Sequence, residues 1–200
     1  MNEKDVLKVF KSEKALLTGH FLLSSGLHSP NYMQCALLFQ KPWIAETLCK
    51  ALVKKLKAIK VNVVIGPALG GVIISYEMGR ALNVRSLFAE RLPAGQAGVD
   101  GTLVLRRGFS LKKNERVLVV EDVITTGKST REVIEIVKQQ GAKLAAVASI
   151  VDRSAGAAIF ETDLYSLLKI NIKTYKPDAC PLCREGKLPA VKPGSRHSLR

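Results

Sequence analysis

The 200-residue sequence has no apolar run approaching the ~18 residues that a membrane-spanning helix requires. Its first ten residues carry Glu3, Lys4, Asp5 and Lys8 where a secretory signal would need an apolar stretch. Neither a membrane location nor export is expected. Cysteine is scarce, with four residues. A chain of this length buries about 70% of the surface that its unfolded form exposes, so it needs neither disulfides nor a metal to fold. The cysteines are therefore expected as thiols in a reducing cytosol. Acidic residues are also few: 17 against 31 basic ones leave a net charge of +14. That excess favours an anionic partner, whether nucleic acid, a membrane surface or a phosphorylated small molecule. There is no internal repeat and no low-complexity block. What remains is an ordinary globular mixture, 47% hydrophobic and 24% charged.

Val6, Leu7, Phe10, Leu16 and Leu17 predict an opening amphipathic helix that stops near Thr18-Gly19. A polar stretch rich in Gly, Ser and Pro follows, from Gly19 to Tyr32. Pro42 suits a first helical position, and Ile44, Ala45, Leu48, Cys49, Leu52, Val53 and Leu56 recur at three- and four-residue spacing behind it. Short runs rich in β-branched residues then appear at Val61–Ile65, Val84–Phe88, Val117–Val120 and Leu144–Val151, as in buried strands of a parallel sheet. Helical patterns from about Gly71 to Leu82 and from Ser129 to Gln140 separate them, the second closed by Gly141. The alternation predicts an α/β fold with a mainly parallel sheet flanked by helices. Ligands of such sheets gather beyond the carboxyl ends of the strands.

The loop after the third of these strands carries the most chemistry. Val117-Leu118-Val119-Val120 drives a strand into the core, and Glu121-Asp122 stands where it should emerge. Val123-Ile124-Thr125-Thr126-Gly127-Lys128-Ser129-Thr130 then leads into a helix. A helix start exposes about four unpaired N–H groups and roughly half a positive charge. Hydroxyls from Thr125, Thr126, Ser129 and Thr130 surround it, and Gly127 lets the backbone approach an anion closely, so the turn is a phosphate cradle of uncharged donors. Two carboxylates would repel a phosphate, but they suit sugar hydroxyls and a neighbouring carbon that gains positive charge. A sugar phosphate satisfies both halves. Gly127-Lys128-Ser129 mimics the end of a Walker A loop, but that motif needs Gly five residues earlier, where Asp122 stands. A well-capped turn needs one hydroxyl, not four.

This segment resembles the phosphoribosyl pyrophosphate signature of the type I phosphoribosyltransferases. Gly19–Tyr32 resembles the N-terminal segment of the orotate phosphoribosyltransferases, and Ser149-Ile150-Val151-Asp152-Arg153 resembles their strand that ends in an orotate-gripping Arg. Leu105-Arg106-Arg107-Gly108-Phe109, Cys180-Pro181-Leu182-Cys183 and Val191-Lys192-Pro193-Gly194-Ser195-Arg196 resemble one bacterial branch of that family. The resemblance implies one phosphoribosyltransferase domain over 1–200, with a hood from 1–40 and part of 170–200, a core over about 41–170 and a mobile loop at 90–108. It implies transfer of a 5-phosphoribosyl group to N1 of orotate in pyrimidine biosynthesis, with Mg²⁺ carried by the substrate and a cytoplasmic homodimer as the working form. Its implied sites are Glu121 to Ser129 for phosphoribosyl pyrophosphate, with Asp122 and Glu121 catalytic, Thr125 and Arg153 for orotate, and Gly70-Gly71 for pyrophosphate. A guanidinium binds a carboxylate through two parallel charge-assisted bonds, which fits Arg153 to orotate; the competing reading is an ion pair with Asp152. Gly70 stands where many members carry Lys, and no Lys or His lies between Arg91 and Arg106, so Arg91 is the candidate catalytic cation of the loop.

A second reading is a nucleic-acid-binding regulator of the same fold that senses phosphoribosyl pyrophosphate. The charge keeps it open, but no recognition helix or aromatic-rich strand supports it, and a nucleic-acid partner is disfavoured. Cys180 and Cys183 lack a second Cys pair, with only His197 nearby to help, so a tail turn around Pro181 is preferred over a zinc site. Cys35 and Cys49 read as buried small hydrophobes, Trp43 as packing, and His28 as a solvated loop residue.

Overall fold

The computed structural model describes residues 1–23, 25–93 and 101–193. Ser24, Gly95 and Gly98 of the expected loop, and the tail residues Gly194, Ser195, Arg196 and His197 fall outside them. In chain order the elements are α1 (Glu3–Ser12), β1 (Leu16–Leu22), β2 (His28–Met33), α2 (Cys35–Phe39), α3 (Pro42–Lys55), β3 (Val63–Pro67) and α4 (Gly70–Leu82). There follow β4 (Arg85–Arg91), β5 (Leu103–Val104), β6 (Arg116–Ile124), α5 (Lys128–Gln139), β7 (Lys143–Asp152), β8 (Leu164–Lys169) and α6 (Pro181–Glu185).

Six strands form one sheet in the order β5-β4-β3-β6-β7-β8. All neighbours are parallel except β5, which returns antiparallel against β4. Side chains alternate across a strand, and the alternation divides the core. Val64, Leu118, Val120, Ala146, Ala148 and Ile150 pack with Leu48, Leu52, Ile74 and Met78 of α3 and α4. Val63, Ile65, Val117, Val119 and Val147 face Val133, Ile134 and Val137 of α5 on the other side. Both faces are covered, which is why the strands read as unbroken apolar runs. The strand order reverses its direction of winding between β3 and β6: α4 carries β3 to β4 on one side, and α5 carries β6 to β7 on the other. The β3–β6 ladder ends at Ile65↔Val119, while β3 stays paired with β4 to Pro67↔Ala89 and β6 with β7 to Ile124↔Asp152. A cleft therefore opens between β3 and β6 at their carboxyl ends.

Several expectations need correction. The opening helix ends at Ser12, and Lys14 turns the chain in the left-handed region (φ 53°), so Leu16 and Leu17 begin β1 instead of closing the helix. The polar stretch from Gly19 to Tyr32 is an antiparallel hairpin of β1 and β2. The third predicted strand does not stop at Val120 but runs on to Ile124, so Glu121 and Asp122 lie inside it. The segment 90–108 is not wholly a loop, because Arg91 ends β4 and β5 pairs back onto it. Trp43 at the start of α3 is 64% exposed and is not core. Pro42 does open α3 and Gly141 does follow α5, while Cys35 and Cys49 are buried.

Candidate active site

The cleft floor is the end of β6. Because Glu121 and Asp122 are adjacent on a strand, their side chains leave on opposite faces of the sheet. The Glu121 carboxylate accepts a hydrogen bond from the Thr130 hydroxyl on α5. Burial pushes its carboxyl up to about 7, helped by the neighbouring Asp122 charge and opposed by the Thr130 hydrogen bond and the Arg91 charge. Asp122 faces the other way, toward α4. A Cβ built at Gly70 would lie 2.8 Å from Asp122 Oδ1, so only glycine lets the start of α4 come this close to the acid. Burial also raises the Asp122 carboxyl, against the hydrogen bond that Val123 N–H donates to Oδ1 at 2.8 Å. The two acids therefore flank the strand end and are not a dyad on one face.

Thr125 and Thr126 are exposed just beyond β6, Lys128 is exposed, and Ser129 is half-buried on the first turn of α5. Gly127 begins that helix at φ 72°, where a Cβ would also lie 2.9 Å from Phe160 Cζ. The hydroxyl-rich turn is thus open to an anion at a helix N-terminus. Thr130 does not belong to it: it is fully buried, and its hydroxyl is committed to Glu121. Ile124 is buried in the core and Val123 half-buried, so both offer only main-chain atoms.

Arg91 lies at the same end of the molecule. Its guanidinium pairs with Glu132 of α5, donates to the Gly101 carbonyl at 2.6 Å and reaches Ser129 Oγ at 3.5 Å. It is fixed beside the hydroxyl-rich turn by its own chain. Gly70 and Gly71 open α4 across the cleft.

Arg153 follows β7, and its N–H donates to the Ile124 carbonyl at 2.8 Å, which sets it next to Thr125. Its Nε is buried and has no hydrogen-bond partner among the described residues. Burial draws the guanidinium pKa down, and Tyr32 opposes that shift. The competing ion pair with Asp152 does not form: the Asp152 carboxylate accepts from Ser154 N–H at 2.8 Å, and Arg153 has no carboxylate partner among the described residues. Tyr32 went unassigned in the sequence. Burial raises its phenol, as do Asp122 and Cys35, while Arg153 lowers it, so Tyr32 lies near both the acid and the guanidinium. Its position at the end of the hairpin carried no periodicity that could have shown this.

The comparisons agree with this geometry. The phosphoribosyl transferase domain family matches residues 43–179. An orotate phosphoribosyltransferase of Carboxydothermus hydrogenoformans is 56% identical over 194 residues, covering 96% of this chain and 97% of its own. One from Thermotoga maritima is 49% identical over 191 residues, covering 96% and 98%. The crystal structure of an orotate phosphoribosyltransferase from Aeropyrum pernix superposes with a TM-score of 0.71 at 27% identity, covering 82% of this chain and 93% of that one. With a doubly wound sheet, an acidic strand end beside a hydroxyl-rich helix start, and near-complete overlap with these relatives, the chain belongs to the orotate phosphoribosyltransferase family.

Proposed function

We propose that the cleft between β3 and β6 binds phosphoribosyl pyrophosphate and orotate and joins orotate N1 to C1 of the ribose, releasing pyrophosphate and orotidine 5′-monophosphate. The observation that carries the choice of base is Arg153: a guanidinium half-buried at the cleft, with a buried Nε left unpaired, calls for a planar anion that accepts two parallel hydrogen bonds. Orotate's carboxylate supplies that group, and Thr125 and Tyr32 border the same space.

The Thr125–Ser129 turn would take the 5′-phosphate. Asp122 and Glu121 would bracket the ribose diol from either side of the strand and favour positive charge at the anomeric carbon. Attack from the face opposite the leaving group inverts that carbon through an oxocarbenium-like transition state. Arg91 would place positive charge at the phosphate end, and main-chain N–H groups at Gly70-Gly71 would meet the pyrophosphate. The pyrophosphate and sugar oxygens of the substrate would carry in Mg²⁺, a hard cation that would supply neutralisation of the leaving group.

A homodimer is supported by Leu69, Ile73 and Tyr76, which lie at one-turn spacing along the start of α4 with 76%, 43% and 64% of their surface exposed. An exposed apolar stripe beside the site is what a partner subunit would cover.

Loss of orotate absorbance with phosphoribosyl pyrophosphate and Mg²⁺ tests the activity directly. Arg153→Ala should raise the orotate KM by roughly 10- to 100-fold, the range for hydrogen bonds to a charged group, and leave the phosphoribosyl pyrophosphate KM within a few-fold. Equal weakening of both substrates would remove Arg153 from the base site.

A further inference from the structure

A second constellation lies away from the cleft, where the hairpin meets the C-terminal segment. His20 comes from β1, His28 from β2, and Cys180 and Cys183 bracket the start of α6. One ligand-capable atom from each lies within 4.8 Å of every other. His20 Nε2 is 2.8 Å from His28 Nδ1 and 3.6 Å from both Cys180 Sγ and Cys183 Sγ; Cys183 Sγ is 3.2 Å from His28 Nδ1.

Hydrogen bonding within the protein does not satisfy this arrangement. His20 Nδ1 lies 2.9 Å from the Leu188 carbonyl, which can only accept, so Nδ1 carries the proton and Nε2 presents a lone pair. That single lone pair faces one imidazole nitrogen and two sulfurs, and it can accept from only one of them. A cation at the centre engages all four. Typical Zn–N and Zn–S bonds of about 2.0 and 2.3 Å imply tetrahedral edges of roughly 3.3–3.8 Å, within a few tenths of an ångström of three of the four separations above. The Leu188 carbonyl then does what an outer partner of a metal-bound His does, fixing its tautomer and orientation.

The surrounding chain also needs a staple. From Lys173 to Val191, Cys180 is the single buried residue. This segment nevertheless pairs with the hairpin at both ends: Leu22 N–H donates to the Val191 carbonyl, Val191 N–H to the His20 carbonyl, and His28 and Tyr175 exchange both bonds, each at 2.8 Å. An exposed strap without an apolar core is held at the place where the four side chains converge.

We propose that His20, His28, Cys180 and Cys183 form a structural Zn²⁺ site that fastens the C-terminal strap to the β1–β2 hairpin. Two nitrogens and two thiolates suit zinc, and four protein ligands leave no open position for substrate, so the ion takes no part in the transfer reaction. Its effect on the cleft passes through β2, which carries His28 at one end and Tyr32 near the other.

The test uses the full chain without a histidine tag. Chain purified from zinc-replete cells should hold about one zinc per chain by elemental analysis, and reduced apoprotein titrated with Co²⁺ should show thiolate-to-cobalt charge transfer and the intense d–d bands of a tetrahedral site. Cys183→Ser, at an exposed position, should lower zinc at least about ten-fold and abolish the charge-transfer absorption, while Cys49→Ala should leave both unchanged. Absence of zinc together with no cobalt–thiolate absorption would overturn the proposal, as would a Cys183→Ser chain that keeps its full zinc content. If that variant does not fold, the cobalt spectrum of the unaltered chain decides. None of these readouts involves orotate, so the site stands or falls apart from the proposed activity.

Discussion

Replacing Glu121 with Gln separates what the cleft needs from what the fold prefers. Burial lifts the Glu121 carboxyl from 4.5 to about 7. The unfolded chain gives up this proton near pH 4.5, whereas the folded chain holds it to about pH 7. Between those values the folded form binds more protons, so its stability falls as pH rises, and the loss is complete above pH 7. At about 1.4 kcal/mol per pH unit, the ionised carboxylate costs roughly 3 kcal/mol of stability at pH 8 that it does not cost at pH 4. Glutamine removes the titration but keeps an oxygen for the Thr130 hydroxyl. Urea unfolding at pH 4–8 should show the variant close to the parent at the acid end and more stable by up to ~3 kcal/mol at pH 8. The same variant should bind phosphoribosyl pyrophosphate less tightly, because the anionic acceptor for the diol is gone. A stability difference that is the same at pH 4 and pH 8 would refute the reasoning, since Glu121 would then ionise as an ordinary surface carboxylate does.

Three further substitutions probe the cleft. Asp122→Asn should lower kcat at least ~100-fold, the scale set by removing one preorganised charge-stabilising group; steady-state rates within a few-fold of the parent would exclude the role. Gly70→Ala places a methyl carbon 2.8 Å from Asp122 Oδ1 and should reduce kcat while circular dichroism and the unfolding midpoint stay near those of the parent. Gly127→Ala combines a left-handed φ with a contact to Phe160; a loss of about 1–3 kcal/mol in urea unfolding and a raised KM for phosphoribosyl pyrophosphate are expected.

The central strands and the helices between them were legible because burial on both faces leaves unbroken apolar runs, and because Pro42 and Gly141 mark helix ends by their backbone chemistry. Glu121 and Asp122 misled as strand terminators: charge usually ends a buried strand, but pairing with β7 carries β6 through both acids. The β1–β2 hairpin was hidden for the opposite reason. Its inward positions include His20 and His28 in place of an apolar alternation. The short strand Leu164–Lys169 has no unbroken apolar run to mark it, because Ser166, buried against Ser149, interrupts its pattern. Arg153 and the hydroxyl-rich turn are each read from contiguous residues. The His–Cys cluster could not, since its halves are 160 positions apart and neither half alone supplies four ligands.

The fork between β3 and β6 has a mechanical consequence. Each prong is clamped along its outer flank by another strand, so neither can swing without breaking a ladder that runs through the core. The jaw is therefore rigid before any ligand arrives, and a sugar phosphate bound as proposed would meet charges already in place. Any closure over a bound ligand would have to come from segments outside the sheet, and the proposed chemistry would take its precision from a frame that does not have to move.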